Sequence, residues 1–393
     1  MMNVNNLFKM MFLSLVVIFS SCSTGGDGDD PTPVVNMPDS YEFLYEGTST
    51  VACAGQTARL KMAAELMSAM NDETKTKSEI MTMFDGDNGS SAGFADATLN
   101  GTTKIVGSKT AASSQASSTV KAQFDAMVTE FADVVAPAVV ALTDASSGVA
   151  GVHTGPGGRT VKVNAKGMEL NQCFGKGLIG GMCADQILYK YLAGVYQNSA
   201  NYDHVTRDAS SNNGATEKEH KYDEGYGYLF GLASDLALPE SSYMTGDVLL
   251  AKYTNKVNNG QEVGIFNTLF DAFKLGRAAV TQDVQSVSDE QIDVVRKAIS
   301  RTIAYKAIDY LESAATSGGG ASADMADYFH DLSEGYGFIM SLQFTFDEGG
   351  TPYFTNIEVN SMLASLEAGN GFWDRTAQEL TDMANNIKSR TGL

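Results

Sequence analysis

The chain has 393 residues and a net charge of −20, with 27 lysines and arginines against 47 aspartates and glutamates. That balance excludes the basic footprint of a nucleic-acid-binding protein. It favours solubility and attracts counter-cations, but does not by itself make a metal site.

Residues 1–21 carry one cation, Lys9, no acid, and the apolar run "MFLSLVVIFSS". The run is too short for a stable membrane span and reads as a signal-peptide core. It ends at "FSSCS", where small residues before Cys22 resemble a bacterial lipobox. The resemblance implies that Cys22 becomes the lipidated first residue, anchored by several acyl chains. Residues 22–40 are Gly-, Asp- and Pro-rich and are expected to form a flexible tether. The expected location is the outer membrane, on its periplasmic face or at the cell surface. Without Lys9 the remaining chain carries 26 cations against 47 acids, a balance of 26 − 47 = −21.

From residue 41 to 393 the pattern is all-α, a single large helical domain with few or no strands. "GQTARLKMAAELMSAMND" and "SEIMTMFDG" have helical periods, and residues 88–114 read as a long surface loop. "STVKAQFDAMVTEFADVVAPAVVAL" is helical, kinked or broken at Pro137. A Gly-rich stretch around His153 follows, read as a turn, with room for a short hairpin at "RTVKVN". "MELNQCFGKGLIGGMCADQILYKYLAGVYQ" predicts one long helix, and "TEKEHKYDEGYGYLFGLASDL" the next, stopped near Pro239. The second half repeats the rhythm. Its long helix, "SDEQIDVVRKAISRTIAYKAIDYLESA", is expected to open with Ser288 as N-cap. Cys53, Cys173 and Cys183 leave room for one disulfide through Cys53. Cys173 and Cys183, ten residues apart on one helix, are about 15 Å apart and out of reach of each other.

Two stretches carry the chemistry. "HKYDEGYGY" begins at His220 and "HDLSEGYGF" at His330, and these are two of only four histidines. With His at position zero, Glu217, His220, Glu224, Gly227 and Gly231 match Asp327, His330, Glu334, Gly337 and Ser341. Steps of three and four keep one helix face, so each helix presents an acid–His–Glu–small stripe, flanked by Tyr226 or Tyr336. The recurrence indicates an internal duplication, with halves at about 41–236 and 237–393. The preceding helices echo it weakly, with Glu169 and Lys176 seven apart in the first half and Asp289 and Arg296, or Glu290 and Lys297, in the second.

Imidazole and carboxylate one turn apart suit iron, zinc or copper. If the halves fold face to face, His220, Glu224, His330 and Glu334 supply four ligands. Glu217 and Asp327 then add ligands or orient the imidazoles, and Glu169 is an outside candidate. The competing expectation is a buried polar network stapling each helix to its neighbour, in a structural or interaction protein. His204 is expected at the surface, and the 18 methionines as core. No HExxH or phosphate-loop motif is present, so neither a zinc-helix peptidase nor a phosphate-loop kinase has motif support.

The paired "HKYDEGYGY" and "HDLSEGYGF" helices, "GQTARLKM", "KGMELNQCFGKGLIGGMCADQILYKYL" and the late "GFWD" resemble a family of bacterial lipoproteins. That family is known as domain of unknown function 4856. More distantly the design is similar to imelysin-like proteins, which have a His-x-x-Glu motif where this chain has three intervening residues. This resemblance implies a duplicated helical architecture and a metal theme, with an outer-membrane metal-uptake system as partner.

Overall fold

The structure is a computed structural model and describes residues 34–114, 117–207, 209–210, 212–240, 247–321 and 324–393. The leader, Cys22 and most of the tether lie outside the described residues. The body is helical, as expected, with two short antiparallel hairpins among the described residues. These pair β1 (Leu44–Tyr45) with β2 (Thr48–Ser49), and β3 (Gly151–Thr154) with β4 (Thr160–Val163). The second is the hairpin anticipated at "RTVKVN". It corrects the reading of His153, which sits on β3 against the rings of Phe329 and Trp373 rather than in a turn.

The first half begins with α1 (Ala54–Ala69) and α2 (Lys77–Asp85). In α3 (Ser117–Glu130) the helix runs into a π-helical turn, Phe131–Val135, and continues as α4 (Ala136–Val140). Pro137 has no N–H to offer the carbonyl one turn back, and the wider turn just before it absorbs the misfit without ending the helix.

The long helix of the first half is α5 (Leu170–Leu178), a π-helical stretch Ile179–Tyr191, and α6 (Leu192–Val195). The expected uninterrupted α-helix is therefore widened in its middle. The cause lies at Gly180, whose N–H donates to the Ser341 hydroxyl at 2.9 Å. The same oxygen lies 2.9 Å from the Lys176 carbonyl. An α-helix would join that N–H and that carbonyl directly, so the inserted hydroxyl opens the ladder where the π stretch begins. The approach requires glycine, because a Cβ on Gly180 would fall 2.5 Å from the Ser341 Cα.

α7 (Glu217–Phe230) starts at a capping box in which Thr216 and Glu219 satisfy each other's backbone N–H groups. The same device opens α2, α12 (Asn356–Glu367) and α13 (Ala377–Thr391). The second half adds α8 (Leu250–Asn258), α9 (Ile265–Thr281), α10 (Gln285–Thr316) and α11 (Met325–Ser341). α10 starts at Gln285, so Ser288 is not its N-cap but a buried residue inside its first turn.

α11 lies along α5 and α10, while α7 lies along the π stretch, α6, α1 and α9. The two motif helices thus dock on successive stretches of one long helix. One core of leucine, isoleucine, phenylalanine, tyrosine and methionine side chains runs through both halves. Cys53, Cys173 and Cys183 are buried free thiols inside it, so the disulfide left open by the sequence is not formed.

Candidate site: two histidine–glutamate frames, each closed by lysine

In the second copy, α11 turns His330 and Glu334 toward α5. Glu169, at the N-cap of α5, places Oε2 2.7 Å from His330 Nδ1, and its backbone N–H donates to Ser333 Oγ at 2.8 Å. The other ring nitrogen, Nε2, lies 3.8 Å from Glu334 Oε1. That carboxylate has a nearer cation, the Lys176 ammonium at 2.7 Å, and also accepts from the Tyr253 hydroxyl at 3.2 Å. Lys176 and Glu334 are 3% and 6% exposed, so the ion pair is shut inside the protein. Burial opposes both charges. The Lys176 ammonium, helped by hydrogen bonds, nevertheless holds the Glu334 carboxyl down at about 2.

In the first copy, His220 Nε2 is 3.8 Å from Glu224 Oε2, beyond hydrogen-bond reach. Glu224 instead takes Lys221 at 2.7 Å and the Gln56 amide at 3.3 Å. No counterpart of Glu169 orients this ring, and His220 Nδ1 is buried without a partner among the described residues. The glycines at +7 let neighbouring elements approach closely. A Cβ on Gly337 would meet Lys176 Cβ at 2.5 Å and the Cys173 carbonyl at 2.7 Å, and one on Gly227 would meet Cys53 Cβ at 2.9 Å.

Glu217 and Asp327 stand apart from both rings. Glu217 accepts from the backbone N–H of Asp203 at 3.4 Å, and Asp327 pairs with Arg159 at the surface. Glu169 holds the orienting position that Asp327 was expected to fill. His204 is exposed, 3.4 Å from Asp283. The helix-to-helix echo is not carried into contacts: Arg296 pairs with Asp293, while Asp289 accepts from Gln285. The two histidines have separate partners. Among the described residues no group of three or more His, Cys, Asp or Glu side chains has the geometry to hold a metal ion.

The adjacent face of α7 carries a second network that the sequence reading missed. Arg277 of α9, fully buried, reaches Asp223 Oδ1 at 2.8 Å and Glu219 Oε1 at 3.1 Å. Tyr41 donates to the same Asp223 oxygen at 2.7 Å, and Arg207 grips Glu219 with both terminal nitrogens at 2.7 and 2.8 Å. Burial alone would raise the Glu219 carboxyl, but Arg277 and Arg207 bring it to about 2. One signal was available for Lys176. A lone charge in "CFGKGLIGG", among glycines and apolar residues, is rarely buried unless paired.

A family model for a domain of unknown function, numbered 4856, matches residues 38–393. The chain belongs to this family. No curated protein and no solved structure matches it. The domain 4856 family carries no activity to transfer, and the likeness to imelysins gains no support from these comparisons. No helix among the described residues is long and apolar enough to cross a membrane.

Proposed function

We propose that this domain 4856 protein is a non-catalytic, lipid-anchored envelope protein with a structural or interaction role. In this reading its two His-x3-Glu helices are buried polar networks closed by lysine. The observation that carries it is the 2.7 Å contact between the Lys176 ammonium and Glu334, with Lys221 on Glu224 at the same distance in the other copy. A metal ion would compete with an ammonium already in place, and would have to leave that ammonium buried and unpaired.

A transition-metal role is the second reading, with iron, zinc or copper as cargo and a metal-uptake system of the outer membrane as partner. It is favoured by the Glu169–His330 contact, since a carboxylate on one ring nitrogen is how proteins orient an imidazole whose other nitrogen binds metal. The two are separated by exposing the purified chain to iron, zinc and copper. Bound metal and thermal midpoint are then measured for the wild type, His220→Ala and His330→Ala. The first reading expects no stoichiometric metal and a fall in midpoint for His330→Ala. One equivalent of metal, lost in either variant, overturns it in favour of the second.

A further inference from the structure

In a chain whose acids outnumber its cations by 47 to 27, most lysines and arginines find a carboxylate. Lys252 and Lys256 do not: among the described residues neither has a carboxylate oxygen within 4 Å. Both belong to α8, one turn apart and therefore on one face. The face is built around two tyrosines whose ring centroids are 6.5 Å apart, Tyr253 of α8 and Tyr310 of α10. The Lys252 ammonium is 5.8 Å from the Tyr253 ring, and the Lys256 ammonium is 4.9 Å from it. Lys256 also reaches the Tyr310 hydroxyl at 3.2 Å. From behind, the buried Lys176 lies 5.8 Å from the Tyr253 ring, and Lys306 lies 4.7 Å from that of Tyr310.

Four ammoniums thus converge on two rings. Lys176 is neutralised by Glu334 and Lys306 by Asp309 at 2.7 Å, which leaves two positive charges uncompensated. Burial and the neighbouring ammoniums pull the Lys256 amine down, against the opposing pull of Glu334. Lys252 is half-buried and Lys256 exposed, so the uncompensated pair is open to solvent.

The first half holds a related arrangement of a tyrosine ring and several cations. Its first helix, α1, supplies Arg59, 6% exposed and bonded only to backbone carbonyls. Lys109 and Lys221 stand 6.0 and 5.8 Å from the Tyr191 ring, beside Glu224. In both halves the glutamate of the repeated frame is an anion enclosed by tyrosine and an excess of cations.

We propose that the Lys252–Lys256 face, backed by Tyr253, Tyr310 and the Lys176–Glu334 pair, binds a doubly charged phosphate group. The group is carried either by a free small molecule or by a lipid headgroup. Two unpaired ammoniums match the charge of a phosphate monoester, and ammonium is an established point-charge partner for phosphate. The inference rests on reading Lys176 as the resident cation of its frame. Were a metal to displace it, the charge count at the face would change.

The test is calorimetric titration of the full chain with inorganic phosphate at low ionic strength. Short-chain phosphatidic acid is titrated in parallel, with short-chain phosphatidylcholine as the neutral control. Wild type and Lys61→Ala, which alters an exposed lysine on α1, are expected to bind one phosphate. The Lys252→Ala/Lys256→Ala variant is expected to bind at least about tenfold more weakly. Binding of phosphatidic acid alone, lost in the double variant, assigns the same chemistry to a lipid. Absence of binding by both probes in wild type overturns the proposal, as does binding unchanged in a double variant whose circular dichroism is native. Metal content measured on the same samples tells failure of this site from failure of the reading beneath it.

Discussion

Lys176 and Glu334 show how much one buried pair decides. Neither charge has water to fall back on, so each is held by the other and by neighbouring groups, among them Tyr253, Tyr310 and Gln172. Removing one partner leaves the other as an uncompensated buried charge, a change that typically costs about 3–5 kcal/mol. Lys176→Ala is therefore expected to destabilise the protein by roughly that amount in urea unfolding. The apolar double replacement Lys176→Met/Glu334→Leu should recover most of the loss, because two well-packed apolar side chains need no partner. Equal losses in the single and double variants would show that packing, not charge, is what Lys176 contributes. The paired residue on His330 is a separate matter. Glu169→Gln keeps the hydrogen bond to Nδ1 but removes a charge, so its cost should stay near 1 kcal/mol.

At the level of the helix, the contact of α11 with α5 and the π stretch depends on positions where no side chain fits. Gly180 and Gly337 sit where an added Cβ would come within 2.5 Å of Ser341 and Lys176, respectively. Gly180→Ala and Gly337→Ala are each expected to cost about 1–3 kcal/mol by overpacking, read as a lower melting temperature. Gly260→Ala, at the exposed end of α8 with only ordinary contact at 3.4 Å, should stay within about 0.5 kcal/mol of wild type.

The same helices show what a sequence discloses. The motif helices were legible because a polar stripe at steps of three and four, and at α7 a capping threonine, are local signals. The π stretch was not, because it is opened by Ser341, which lies 161 residues beyond Gly180. α10 begins a turn earlier than its Ser-Asp-Glu run suggested, because Gln285 bonds the Val195 carbonyl and Asp289 and so holds the added turn. Of the site itself, the His–Glu stripe and the small residues along it were readable. Lys176, which closes the second frame, was not, since pairing across helices has no fixed spacing in sequence; Lys221, three residues before Glu224, is a local pair that the stripe alone did not single out.

Across the whole molecule, two sets of buried carboxylates pull stability in opposite directions with pH. Asp185, on the π stretch, and Asp247, before α8, each have one oxygen without a partner among the described residues. Burial pushes both up to about 6. Folded, they bind protons more tightly than the unfolded chain does, where an aspartate titrates near 4. Their contribution is therefore complete below about pH 4 and is lost as pH rises through 6. Glu219 and Glu334, held at about 2 by Arg277 and Lys176, act the other way: their contribution is complete above about pH 4.5 and is lost as pH falls toward 2. Stability should consequently peak near pH 5 and fall on either side. Self-repulsion among the surplus acids also weakens as pH drops from 7 toward the isoelectric point of about 4.5, and must be told apart from the buried groups. Salt makes the distinction, because it screens surface repulsion and reaches buried carboxylates much less. Urea unfolding between pH 7.5 and 5 in high salt should still show a gain. Asp185→Asn and Asp247→Asn should each remove up to roughly 1.4 kcal/mol of it, by stabilising the protein at neutral pH. A gain that vanishes in salt would place its origin at the surface, and one that survives both substitutions would place it in other carboxylates that burial raises, such as Glu130 and Asp331.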